Sequence, residues 1–132
     1  MSLLKKKWFD FLTTRQRGAR AEDWALAHLQ AAGMQLLQRN YRTPGRGGGE
    51  IDLIVRAPDG TVVFVEVRAR SDARFGGAAA TVVAAKQRHL VRAARSYLHG
   101  QVTPPPCRFD VVAIDGERIE WVRGAFDAAC GF

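Results

Sequence analysis

The chain's 132 residues and 14.6 kDa make a single domain, and its 47% hydrophobic and 25% charged residues describe a globular core rather than a disordered chain. No apolar run approaches the ~20 residues that cross a bilayer. Two cysteines, Cys107 and Cys130, are too few for a disulfide scaffold and lack the paired spacing of a zinc site, which leaves reduced thiols in a cytoplasmic protein as the expectation.

The net charge of +7 and pI of about 10.2 suggest a polyanionic partner, either nucleic acid or an anionic membrane surface. Residues 1–20 supply +5 of that charge, from Lys5, Lys6, Lys7, Arg15, Arg17 and Arg20 against Asp10. Three consecutive lysines also interrupt any apolar segment of a signal peptide. Residues 1–17 therefore read as a basic extension ahead of a domain covering 18–132. Within it Leu4, Trp8, Phe11 and Leu12 fall on one helical stripe, which suits either a short amphipathic helix or a partly ordered tail. Sixteen of the twenty basic residues are Arg, and Lys86 is the one lysine after residue 7.

Residues 20–32 predict a helix with Ala25, Leu29 and Ala32 on its apolar stripe, stopped by Gly33. Residues 35–42 predict a strand, and TPGRGGG at 43–49 predicts a loop. Strands are expected at 50–56 and 61–68, joined by Ala57-Pro58-Asp59-Gly60. That tetrapeptide suits a three-residue hairpin loop with a bulge, in which paired residue numbers sum to 118. A second helix is expected at 81–99, capped by Thr81, ended by Gly100, with Val83, Leu90, Ala94 and Tyr97 on its stripe. Three prolines at 104–106 then precede strands at 108–114 and 117–122 around Asp115-Gly116. The order α-β-β-β-α-β-β describes an α/β fold without internal repeats.

The hairpin register sets Asp52 opposite Glu66 and Glu50 opposite Arg68, with all four on one face. Ile51, Leu53 and Val55 share the other face with Val63, Val65 and Val67. Directly opposed carboxylates repel, so the pair is stable only if exposed, protonated or bridged by a cation. A hard divalent ion suits two carboxylates, a backbone carbonyl and waters. A solvated sheet face would carry such charges too, but Ile54, Val62 and Phe64 lie on the same side.

Asp52, thirteen residues, then Glu66-Val67-Arg68 resembles the D…(D/E)-x-K signature of the restriction-endonuclease-like nucleases, with Arg in place of Lys. Glu22 resembles the helical carboxylate of the Holliday-junction resolvase branch. A longer ordered string is similar to the YraN-type family of bacterial proteins across about residues 18–122. It comprises Gly18 and Glu22, Asn40-Tyr41-Arg42, Gly49 through Ile54, Phe64 through Arg68, Phe75-Gly76, Lys86, Tyr97-Leu98 and Arg108 through Ala113. The resemblance implies a restriction-endonuclease-like core, a mixed central sheet flanked by helices. It implies Mg²⁺ or Mn²⁺ held by Asp52, Glu66, the Val67 carbonyl and Glu22, with Asp52, Glu66, Arg68 and Lys86 as the catalytic set. Resolvase-like relatives act as dimers on branched DNA, so a homodimer follows by the same analogy. Arginine can stabilise charge on a phosphate but cannot serve as a base.

On the second helix Arg88, Arg92, Arg95 and His99 recur at four, three and four residues, a basic stripe able to track phosphates or simply a solvated face. Gln87 interrupts the apolar stripe and is expected to contact nucleic acid with Arg88, Arg92 and Arg95. His28 and His89 have no partner spacing. Three functions remain in competition: a metal-dependent endonuclease acting on DNA, a nucleic-acid-binding module that kept the fold without turnover, and an adaptor using the Trp-bearing N-terminal segment.

Overall fold

The computed structural model describes residues 13–69, 82–115 and 118–127. The N-terminal stripe, Thr81, Phe75-Gly76, the Gly116 turn and Cys130 lie outside them. Five strands form one sheet in the order β1-β2-β3-β4-β5: β1 (Gln35–Arg42), β2 (Glu50–Arg56), β3 (Val62–Ala69), β4 (Cys107–Asp115) and β5 (Arg118–Val122). Neighbours run antiparallel except β3 and β4, which are parallel because helix α2 (Ala84–Leu98) lies between them in the chain. Helix α1 (Thr14–Ala31) covers one sheet face and α2 the other. The central strands are accordingly apolar on both sides but for their acids: Val62 to Val65 and Phe109 to Ile114 are all buried, Asp110 included.

Helix α1 begins six residues before the apolar stripe predicts. Thr13 accepts from the Gln16 backbone N–H while Gln16 accepts from the Thr13 N–H, a reciprocal capping box. Its buried stripe is Ala21, Ala25 and Leu29; Ala32 is the exposed C-cap instead. Gly33, at φ 92°, then closes the helix with Gly33 N–H on Gln30 and Met34 N–H on Leu29, the paired bonds of a Schellman stop. In α2 the stripe is Leu90, Ala93, Ala94 and Leu98; Val83 is the N-cap and 64% exposed, so it does not belong to the stripe.

The β2–β3 turn forms as its sequence predicts. Ala57 N–H donates to Thr61, Gly60 N–H donates to Ala57, and Gly60 takes φ 94°. Leu53↔Val65, Ile54↔Phe64, Val55↔Val63 and Arg56↔Val62 keep the 118 sum. The ladder stops there, so Asp52 and Glu66 are not a ladder pair, nor are Glu50 and Arg68. Glu50 pairs instead with Arg42 across β1–β2. The reason is a change of face. Leu53 and Val55 pack toward α1, whereas Ile51 packs toward α2 with Ile54 and Phe64. Opposite this step, the β1–β2 pairing skips from Arg39↔Leu53 to Tyr41↔Ile51 across Asn40, whose φ is +52°. Both strands therefore turn over at Asn40 and Asp52.

Candidate functional site

The turnover leaves Asp52 between the two apolar layers, at the end of the hairpin away from its loop. Where the ladder stops, the Val67 backbone N–H donates to Asp52 Oδ2 at 2.8 Å. A hydrogen bond toward Glu66 favours the protonated form of Asp52. Burial, reinforced by that bond and by the Glu66 charge, pushes the Asp52 carboxyl up to about 8; the Val67 N–H opposes the rise and Glu22 adds to it. Glu66 itself is only 8% exposed. Its Oε2 is buried without a hydrogen-bond partner, although Lys86 Nζ stands 3.2 Å away; the ammonium is close enough to pair in charge but not aligned to donate. Helix α2 thus brings Lys86 onto the carboxylate pair, as the sequence reading expects of that lone lysine.

Glu22 reaches the same region from α1. Arg39 Nη2 lies 3.5 Å from Glu22 while its Nη1 binds Asp23 at 2.8 Å. Burial raises the Glu22 carboxyl above its usual range, and Arg39 and a hydrogen bond from Asn40 counter that rise. Neither Arg39 nor Asn40 stands out by residue type; Asn40 opens the Asn40-Tyr41-Arg42 stretch of the motif string, and Arg39 immediately precedes it. Beside them a cleft of about 420 Å³ opens between α1 and the β1–β2 pair, lined by Arg15, Gly18, Ala19, Glu22, Asn40, Arg42 and Glu50.

On the α2 side, Arg88, Arg92 and Arg95 are exposed and line a cleft of about 720 Å³ with Gln87 and Phe126. Two of the four have structural duties. Gln87 Nε2 donates to the Val82 carbonyl at 2.7 Å, fixing the entry to the helix, and Arg92 Nη1 donates to the Gly47 carbonyl at 3.0 Å, holding the 43–49 loop on α2. Gly49 lies so close to the same helix that a Cβ there would stand 2.2 Å from the His89 carbonyl oxygen. The glycine run is needed for this approach. Arg68 is half-buried, two residues beyond Glu66.

Among the described residues no three His, Cys, Asp or Glu side chains converge tightly enough to hold an ion by themselves. Asp52 and Glu66 are the nearest approach to such a set, with the Glu22 charge within range. No described helix is long and apolar enough to cross a membrane.

Residues 21–114 match the model of the uncharacterised protein family UPF0102. A UPF0102 protein of Acidovorax sp. (strain JS42) is 62% identical over 117 residues, 89% of each chain. One from Paracidovorax citrulli is 63% identical over 116 residues, covering 88% of this chain and 86% of its own. Another, from Albidiferax ferrireducens, is 62% identical over 116 residues, covering 88% and 91%.

Proposed function

The chain belongs to the UPF0102 (YraN-type) family, and we propose that it binds nucleic acid, DNA in the first instance, and hydrolyses phosphodiester bonds with a divalent ion, Mg²⁺ or Mn²⁺, held at Asp52 and Glu66. The observation that carries this reading is the buried Glu66 Oε2, which has the Lys86 ammonium nearby but no aligned hydrogen bond, next to a second, half-buried carboxylate. Buried carboxylate oxygens are normally satisfied, and an under-bonded one beside a second carboxylate is the donor set a hard cation takes. The Val67 carbonyl and Glu22, the latter directly or through water, complete the proposed shell. The ion supplies an activated water and charge stabilisation at the attacked phosphate.

The chain's own residues divide the remaining work. Arg68 carries a fixed positive charge toward the phosphate without moving a proton. Lys86, already at Glu66, supplies a second cation from the opposite helix. Arg88 and Arg95, with Gln87, face a cleft wide enough for a strand, and each phosphate neutralised there releases counterions.

Calorimetric titration with Mg²⁺ and Mn²⁺ tests the site. Wild type should bind, and an Asp52→Asn, Glu66→Gln double variant should not; equal binding by both would remove the metal site. A cleavage screen over duplex, single-stranded, flap and four-way DNA then tests turnover. Silence on every substrate favours the second reading, a nucleic-acid-binding module without catalysis. That reading has its own support, since the Lys86 ammonium can balance the carboxylates without any ion.

A further inference from the structure

Gly18 lies inside α1, where glycine costs about 1 kcal/mol relative to alanine. The other described glycines have visible reasons. Gly33, Gly60 and Gly100 take positive φ, and Gly49 presses on the His89 carbonyl. Gly18 has neither reason: its backbone is helical, and a Cβ built on it would meet nothing within 4 Å. Composition offers no reason either, because the chain is richer in alanine than in glycine and Ala19 and Ala21 follow the position in the same helix. What Gly18 does touch is empty space, the 420 Å³ cleft that it lines with Arg15, Arg42, Asn40, Glu22 and Glu50. That volume falls within the about 300–1,000 Å³ typical of built ligand sites.

We infer that the Gly18 cleft is a nucleotide subsite: it receives the sugar–phosphate unit next to the one held at the carboxylate pair, with the missing side chain of Gly18 leaving the backbone of α1 open to the strand. The inference rests on the reading of the chain as a nucleic-acid-binding protein. The cleft shares Glu22 with the carboxylate region, so a strand lying in it continues toward Asp52 and Glu66. Its two guanidinium groups, Arg15 and Arg42, give the phosphate a partner, and Arg42 is only loosely engaged, 3.9 Å from Glu50. The Asn40 amide offers a polar contact to the sugar or base. A side chain longer than a methyl at position 18 would occupy the room that the sugar–phosphate unit needs.

The test is binding of fluorescent duplex, single-stranded and four-way DNA by wild type, Gly18→Ala, Gly18→Leu and the control Ala27→Leu, which adds the same bulk at an exposed α1 position away from the cleft. Melting temperature and Mg²⁺ calorimetry accompany each protein. Both position-18 variants should fold, with raised melting temperatures. Gly18→Leu should lose DNA affinity by on the order of tenfold, the loss of one or two good phosphate contacts, with Mg²⁺ binding unchanged; Ala27→Leu should bind as wild type. Arg15→Gln and Arg42→Gln should each lower the slope of log affinity against log salt by about 0.9 on duplex DNA. Wild-type affinity in Gly18→Leu, with unchanged salt slopes in the two arginine variants, overturns the subsite and leaves the nucleic-acid reading standing. Absence of DNA binding by wild type overturns that reading itself, and the subsite with it.

Discussion

Two acids in the same sheet, one buried and one half-buried, have opposite surroundings. Asp110, on β4, is fully enclosed, yet every side of its carboxylate has a donor: Arg108 Nε at 3.0 and 3.3 Å, Trp121 Nε1 at 2.9 Å and the Gly124 N–H at 2.9 Å. Asp52, on β2, has one backbone donor and a second carboxylate for company. Asp110 is the more deeply buried of the two, so burial does not mark a site. Donor supply does. Asp110 is neutralised by its own chain and ties β4 to β5 and the segment after it; in the Asp52–Glu66 pair the Asp52 carboxyl is raised and Glu66 Oε2 has only the unaligned Lys86 ammonium beside it. The first arrangement serves stability, the second costs it, and a fold carries such a cost where function needs the groups.

The sharpest way to break the contrast is Asp110→Ala. It strands a half-buried guanidinium, an indole N–H and a backbone N–H at once, so denaturant unfolding should show a loss of about 3–5 kcal/mol, the range for removing one partner of a buried ion pair. A loss below 1 kcal/mol would mean that Asp110 is no staple.

Asp52→Asn should act in the opposite direction. The Asn carbonyl can still accept from Val67 and its amide can donate to Glu66, as the protonated acid does. The sign follows from the raised carboxyl. Between an unfolded value near 3.8 and a folded value of about 8, the native state binds more protons than the unfolded one, so wild-type stability falls as pH rises through that window. Urea midpoints measured without metal should therefore drop from pH 5 to pH 8 in wild type and drop less in Asp52→Asn. At pH 8 the variant should be the more stable by on the order of 1–2 kcal/mol, the cost of one under-bonded buried polar group. Parallel pH profiles would refute the assignment.

Lys86→Met sharpens the comparison from the other side. It removes the ammonium that stands 3.2 Å from Glu66. Because Lys86 is 39% exposed, solvent screens the pair and the stability loss should stay near ~1 kcal/mol. Mg²⁺ affinity in the same variant should rise, since the ion no longer meets a resident ammonium. Unchanged affinity would separate Lys86 from the metal reading.

Much of this contrast was legible in the chain. Period-two apolar runs with a Pro-Asp-Gly turn specify the hairpin register from the turn as far as Leu53↔Val65, because turn chemistry fixes register. The sequence reading groups Asp52, Glu66 and Lys86 in one candidate site; Lys86 stands 3.2 Å from Glu66, but Asp52 and Glu66 are not the ladder pair the hairpin register predicts. The helix start was not, since the apolar stripe begins at Ala21 while the helix begins at a Thr13–Gln16 capping box, a polar signal upstream of the apolar one. The turnover at Asn40 and Asp52 was also hidden. Strict alternation carries Ile51 to the α1 face, and a positive φ at one Asn in the neighbouring strand overrides it. Asp110 resembled one more acid in a strand; its donors come from Arg108 two residues before, Trp121 on the next strand and the backbone at Gly124, a pairing that only the β4–β5 register brings together.

The smallest expected change in stability belongs to Arg68→Lys, and it is informative for that reason. Position 68 is half-buried on β3, so exchanging one long cation for another should shift unfolding by less than about 0.5 kcal/mol. Any effect on nucleic acid is then an effect at the site rather than on the fold. The lysine restores the residue of the D…(D/E)-x-K signature that the hairpin resembles. An enzyme adapted to arginine should hold its cleavage rate or lose it, because a point charge replaces a planar fork against the phosphate. A module disabled by arginine should gain Mg²⁺-dependent cleavage. The first outcome is expected, because Lys86 already brings an amine to Glu66 from α2; Lys86→Ala should then cost more turnover than Arg68→Lys does. Cleavage appearing in Arg68→Lys alone, with wild type silent on all four DNA forms, would identify the under-bonded carboxylates as a site kept for binding and not for hydrolysis.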